Sequence, residues 1–156
     1  MVDTVSLQRI SKIHPKLKND VESILIEIQS KGLSIRITQG LRTIIEQNAL
    51  YAQGRTKPGP KVTNAKGGDS MHNYGLAVDF CLLHKDGSIS WSMKEDIDKD
   101  GKKDWMEVVE IFKLHGWTWG GDFKSILDTP HFEKTFGYNL SQIKLLKKDA
   151  NGYPII

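Results

Sequence analysis

The chain has 156 residues, 38% of them hydrophobic and 26% charged, which suits one soluble globular domain and is too short for two independent cores. No apolar run approaches the roughly 18–20 residues that cross a bilayer, which excludes a helical membrane protein. The net charge of +3 favours approach to an anionic polymer such as a cell wall and is too small to argue for nucleic acid.

Cys81 is the only cysteine, so there is no internal disulfide and no Cys-rich zinc site. In an apolar stretch it reads as a small buried hydrophobe. Met1 to Lys12 carries charges without a continuous apolar segment, so no secretory signal is visible. Synthesis in the cytoplasm is expected.

Pro15 to Lys31 reads as a helix, because Leu17, Val21, Ile24, Leu25 and Ile28 recur at helical spacing and Gly32 can end it. Leu33, Ile35 and Ile37 then alternate with polar residues, the pattern of a half-buried strand that Gly40 breaks. Thr43 and Glu46 form a capping box for a helix from about Ile44 to Tyr51. Gly54 to Ser70 is polar and rich in Gly and Pro, a long loop of the kind that is usually functional or disordered. Tyr74 to Leu83 reads as an apolar strand, followed by an Asp86-Gly87 turn and a short strand from Ile89 to Trp91. Trp105, Val108, Val109 and Phe112 predict a third helix closed by Gly116. Trp117 to Trp119 and His131 to Glu133 read as two more strands, and Ser141 to Lys148 as a last helix. Without a regular βαβ alternation or an internal repeat, the expected class is α+β with an antiparallel sheet.

Two segments carry chemistry. In Ser70-Met71-His72-Asn73-Tyr74-Gly75-Leu76-Ala77-Val78-Asp79-Phe80, a histidine at a loop edge precedes by seven residues the only charge of an apolar strand. A buried carboxylate costs several kcal/mol unless a cation or donors compensate it. Asp79 therefore caps a turn, pairs with an arginine distant in sequence, or binds a metal. In Asp128-Thr129-Pro130-His131-Phe132-Glu133, His131 is a natural third ligand for a catalytic zinc, which takes three protein ligands and leaves one position to water. Asp128 could then sit beside that water as a general base without binding the metal. No His-Glu-x-x-His motif is present, and an ion pair with two loop histidines is the competing reading.

The run Ser-x-His-x-x-Gly-x-Ala-x-Asp followed by Asp-x-Pro-His-Phe resembles the zinc peptidases of the D-alanyl-D-alanine carboxypeptidase family. It is most similar to their L-alanyl-D-glutamate endopeptidase branch of phage endolysins and bacterial autolysins. Gly40-Leu41-Arg42-Thr43 with Gln47, Leu50 to Arg55, Val62-Thr63-Asn64 and Gly116 to Asp122 agree with that family in order, so the resemblance spans roughly Thr38 to Glu133. It implies His72, Asp79 and His131 as zinc ligands, Asp128 as catalytic base and Arg42 as the arginine facing the active site. Ser70 and Gln47 match positions close to the substrate. An aspartate rather than a glutamate at the base position favours the endopeptidase branch. The implied fold is the small α+β fold shared with the hedgehog signalling domain, an antiparallel sheet carrying zinc with helices behind it. The implied substrate is the peptidoglycan stem peptide, cut between L-Ala and D-Glu. A single catalytic domain, residues 1–156, is expected, and too few residues follow Glu133 to place a separate wall-binding module. A monomer acting at the cell wall is expected. The alternatives are a D-Ala-D-Ala carboxypeptidase or dipeptidase, a hedgehog-like module that binds zinc without catalysis, and a calcium-binding interaction protein.

A third segment, Asp96 to Glu107, fits the calcium-loop pattern D-x-[DN]-x-[DN]-G-x5-E. Asp96, Asp98, Asp100 and Asp104 would offer carboxylates, Lys102 its carbonyl and Glu107 a bidentate pair, with Gly101 at the turn. Lys103 stands where an apolar residue is usual, no helix is predicted before the loop, and there is no second loop. The competing reading is a solvated turn in which Asp104 caps the third helix. His14 and His84 are expected at the surface, His115 at a helix end, and Trp117 and Trp119 in either cleft or core.

Overall fold

Helix formation starts one element earlier than the periodicity predicts. The computed structural model, which describes all 156 residues, has a seven-residue helix α1 at Thr4–Ile10, capped by Asp3. Its apolar stripe is too short for a pattern to register, and its role lies in polar contacts. Strand β1 (Ile35–Gln39) is a sheet edge, with backbone groups facing away from its partner. Ser6 Oγ accepts from Ile37 N–H (2.8 Å), Arg9 donates to the Ile37 carbonyl (2.6 Å), and Asp3 pairs with Arg36 (2.9 Å). The helix thus covers an edge that would otherwise template association.

Helix α2 spans Pro15–Ser30, with the five predicted apolar residues buried and proline in its first turn. Its N-cap is His14, which is not a surface residue. Nδ1 accepts from Lys16 N–H, Nε2 reaches the Pro154 carbonyl at 2.8 Å, and the residue is 5% exposed. The C-terminal tail folds back over it, and Tyr153 donates its hydroxyl to the Lys12 carbonyl.

Helix α3 (Ile44–Ala52) has the predicted Thr43–Glu46 capping box. A 3-10 turn at Met71–Tyr74 leads into β2 (Ala77–Leu83), so the strand begins three residues later than the apolar run suggests, and Tyr74 is helical. The remaining elements are β3 (Ile89–Ser90), α4 (Asp104–Leu114), β4 (Thr118–Trp119), β5 (His131–Glu133) and α5 (Leu140–Leu145), which ends earlier than predicted. The sheet is antiparallel in the order β1-β2-β5-β4, with β3 pairing on β2 as a hairpin. The α+β class expected from the element order is the one observed.

Alternation along β2 separates its two faces. Val78, Phe80 and Leu82 are fully buried in the core. The Phe80 ring lies 4.3 Å from Trp105 of α4, and Phe112 of α4 stacks on Phe132 of β5 at 4.0 Å with planes 7° apart. Such pairs add about 0.5–1.5 kcal/mol beyond the area they bury. They lock α4 behind the strands that carry Asp79 and His131. Trp117 and Trp119 belong to this core. Cys81 is buried and free, its thiol pushed up by burial.

Candidate metal centre

Register assembles the site. Gln39, Asp79 and His131 face each other across three adjacent strands, so Asp79 and His131 project side by side from one face. His72 arrives from the 3-10 turn, which Ser70 and Asn73 cap reciprocally and Gly75 ends in a left-handed conformation (φ 69°). A Cβ on Gly75 would come within 2.5 Å of the His14 nitrogen, so only glycine admits this exit into β2.

His72 Nε2 lies 3.2 Å and His131 Nδ1 3.1 Å from the same oxygen, Asp79 Oδ1. Ligand atoms of the three residues fall within 4.8 Å of one another. His72 is 2% and His131 7% exposed. Each ring is tied by its other nitrogen: His72 Nδ1 to the Gly40 carbonyl at 2.8 Å, His131 Nε2 to Glu133 Oε1 at 3.3 Å. Two imidazoles with their outer nitrogens engaged and their inner ones converging beside a carboxylate fit a divalent metal, including zinc.

The electrostatics agree. Burial acts to raise the Asp79 carboxyl, but hydrogen bonds from His131 and His72 outweigh it and hold it well below the usual carboxylate range. Burial acts against a charged His131, yet the hydrogen bonds to Asp79 and Glu133 prevail and push it up to about 9. The cluster thus demands positive charge, which a metal supplies in place of that proton. Arg42 Nη2, 3.9 Å from Asp79 Oδ2, is the distant arginine that the sequence leaves open.

Asp128 stands at the rim. Its Oδ2 is 3.9 Å from His131 Nδ1 and its side chain is 52% exposed. Burial of the remainder, then the Asp79 charge, pushes its carboxyl up. The turn that carries it is held through its backbone. Asp128 N–H donates to the Gly120 carbonyl, His131 N–H to the Asp128 carbonyl, Phe80 N–H to the Pro130 carbonyl and Trp119 Nε1–H to the Thr129 carbonyl (2.7 Å). A Cβ on Gly120 would lie 2.2 Å from the Asp128 carbonyl oxygen, so glycine is obligatory there.

A groove of about 680 Å³ runs past Asp128 and His131, a volume that suits a few peptide residues. One wall is the 61–65 segment with Ser70, the other Phe123 and Ser125 to Leu127. The long loop is pinned rather than loose. Gln47 Nε2 donates to the Ala65 carbonyl (2.8 Å), Arg55 to the Thr63 carbonyl (3.0 Å), and Gly67 N–H to Asn48 (2.8 Å).

The chain matches the D-alanyl-D-alanine carboxypeptidase family over residues 63–134, which include Ser70, His72, Asp79, Asp128 and His131. It is 51% identical over 123 residues to the peptidoglycan L-alanyl-D-glutamate endopeptidase CwlK of Bacillus subtilis (strain 168), covering 79% of this chain and 74% of that protein. The chain belongs to this peptidase family. It is also 28% identical over 134 residues to the L-alanyl-D-glutamate peptidase of Listeria phage A118, covering 85% of this chain but only 42% of the phage protein. The fold is that of the Serratia marcescens L-Ala D-Glu endopeptidase ChiX, with a TM-score of 0.53, 24% identity, and 85% and 87% of the two chains covered. No helix is long and apolar enough to cross a membrane.

The structure refines three sequence readings. Gln47, expected near the substrate, is fully buried. Its oxygen accepts from Arg42 (3.0 Å) and its nitrogen donates to Ala65, so both ends of the amide are engaged in holding the arginine and the groove wall. Ser70 does line the groove, while its hydroxyl also caps the turn that presents His72. Arg42 opens onto a neighbouring hollow with Gln39, Glu46 and Gln53. Glu133 escapes the sequence reading, although His-x-Glu in a strand puts both side chains on one face.

Proposed function

We propose that the chain is a zinc endopeptidase that cleaves the L-alanyl–D-glutamate bond of the peptidoglycan stem peptide. The observation that carries this reading is the convergence of His72, Asp79 and His131, with His131 and Asp128 lining the groove. The bond comes from the likeness to CwlK, whose name states it. A zinc ion held by these three residues would supply Lewis-acid chemistry that makes water nucleophilic near neutral pH. Asp128 takes the proton of the attacking water on a carboxylate oxygen and hands it to the leaving amine nitrogen. Arg42, beside Asp79 and braced by Gln47, places its charge toward the oxyanion that develops on the scissile carbonyl. Residues 1–156 form a single catalytic domain in this reading.

The test is a mass-spectrometric digest of purified peptidoglycan. New free amino groups on glutamate are expected; release of D-alanine alone would favour the carboxypeptidase alternative.

Glu133 orients His131 by accepting Nε2–H, which leaves the Nδ1 lone pair for the metal. Glu133→Ala is expected to weaken zinc binding by about 10–100-fold, measured by chelator competition, with Glu133→Gln between it and the native protein. Native affinity in the alanine variant would remove Glu133 from this role.

A further inference from the structure

The acidic segment ahead of α4 plays no part in the chemistry above. The structure gathers it around two overlapping sets of carboxylates. Ligand oxygens of Asp96, Asp98 and Asp104 lie within 4.8 Å of one another, as do those of Asp98, Asp100 and Glu107, so Asp98 belongs to both. Five carboxylates therefore converge within a dozen residues.

Clustered acids alone are common on surfaces; burial without partners sets these apart. Asp104 is 0% exposed, at the first position of α4. The helix N-cap is Lys103, whose side chain makes no capping bond, so Asp104 is not the cap that the competing reading requires. Its Oδ2 accepts from Ile97 N–H across the loop (2.9 Å), while Oδ1 is buried with no donor. Glu107, one helical turn later with its side chain 12% exposed, has Oε2 buried and equally unpartnered. Asp96 Oδ1 is a third such atom. An unpaired buried carboxylate oxygen is expensive, and three of them between Asp96 and the first turn of α4 call for a cation. The nearby lysine does not meet that need: Lys102 Nζ stays 3.7 Å from Asp100 and 4.0 Å from Glu107 with its side chain 69% exposed. Burial first, and the neighbouring carboxylates after it, push both Asp104 and Glu107 up, as expected of like charges held together without compensation.

We infer that Asp96, Asp98, Asp100, Asp104 and Glu107 form a calcium site, separate from the zinc centre. The donors are all carboxylate oxygens, three from the loop and two from the first turn of α4, and this all-oxygen set suits the larger, geometrically tolerant ion over magnesium. Lys99 (φ 63°) and Gly101 (φ 91°) turn the loop tightly enough to bring its two ends together. The consequence lies in the fold. The loop sets the start of α4, and Trp105 and Phe112 of that helix pack against Phe80 and Phe132, the neighbours of Asp79 and His131. Calcium thus fastens the helix that backs the active-site strands.

The test uses the zinc-loaded full chain in calcium-depleted buffer, titrated with calcium chloride and, separately, magnesium chloride. One calcium per chain is expected, with a dissociation constant in the roughly micromolar to millimolar range for such loops. Saturating calcium should raise Tm by about 5 °C or more, by mass action on the folded state. Asp104→Asn and Glu107→Gln should lose most of that rise while zinc content stays unchanged. Where a buried variant folds poorly, Asp98→Asn, at an exposed position shared by both sets, makes the same measurement. No binding up to about 10 mM, the far side of the range for such loops, an equal response to magnesium, or a full calcium response in all three variants would overturn the assignment. Zinc content, read in parallel, keeps this outcome apart from the fate of the peptidase reading.

Discussion

Replacing His131 with alanine is expected to abolish zinc binding and hydrolysis together. The ring is one of three donors and the only one that touches both Asp79 and Glu133. Without it, His72 and Asp79 remain, a pair too small to retain a catalytic zinc, which takes three protein ligands. Folding should survive. The imidazole lies outside the aromatic core, β5 keeps its backbone pairing to β2, and Asp79 keeps His72 and Arg42 as partners. Metal analysis after dialysis, peptidoglycan hydrolysis and a thermal melt on one preparation make the measurement. Stoichiometric zinc in a folded variant would falsify the ligand set. A variant that unfolds would be replaced by His72→Ala, whose ring approaches the same Asp79 oxygen from the 3-10 turn.

Residue type and period make the candidate metal centre partly legible in the sequence. Asp79 is conspicuous there because a carboxylate in an apolar strand demands compensation, and the structure supplies it three times over, from His72, His131 and Arg42. The seven-residue spacing to His72 says nothing about geometry. It works because Gly75 turns the chain between them, and the contact that requires glycine there, the backbone of His14, is far away along the chain. Gln47 shows the opposite limit. Its type and position resemble a substrate contact, but whether an amide faces a groove or a neighbouring side chain depends on packing that a linear pattern does not hold.

The fold divides in the same way. Helices α2, α3 and α4 are legible because each has an apolar stripe or a cap that announces its start. Helix α1 is not, since its work is done by Asp3, Ser6 and Arg9 reaching β1, a distant stretch of the chain. His14 likewise reads as exposed because the segment that covers it, around Pro154, is at the other end of the chain. Long-range polar contacts, not the apolar pattern, are what the linear reading lacks.

Asp128→Ala should give the converse of His131→Ala: zinc retained and turnover lost. Asp128 stands 3.9 Å from His131 and half in solvent, close enough to serve a water at the centre and too far out to be part of the converging set. Its turn is held by backbone groups and by Trp119, so truncating the side chain leaves Thr129, Pro130 and His131 where they are. Stability should change by no more than about 0.5 kcal/mol, as for a surface substitution. The loss falls on the rate. General base catalysis contributes on the order of 10²–10⁴-fold, or about 3–5 kcal/mol of barrier at roughly 1.36 kcal/mol per factor of ten. Asp128→Asn, which keeps the shape and removes the basicity, should fall as far as alanine, and this separates proton transfer from packing. Substrate affinity should hold nearly constant in both variants, placing the effect in kcat rather than in KM. Loss of zinc from Asp128→Ala would turn the residue into a ligand. A near-native rate with zinc bound would take it out of the mechanism and leave Glu133, the other carboxylate at His131 that lines the groove, as the base to test next.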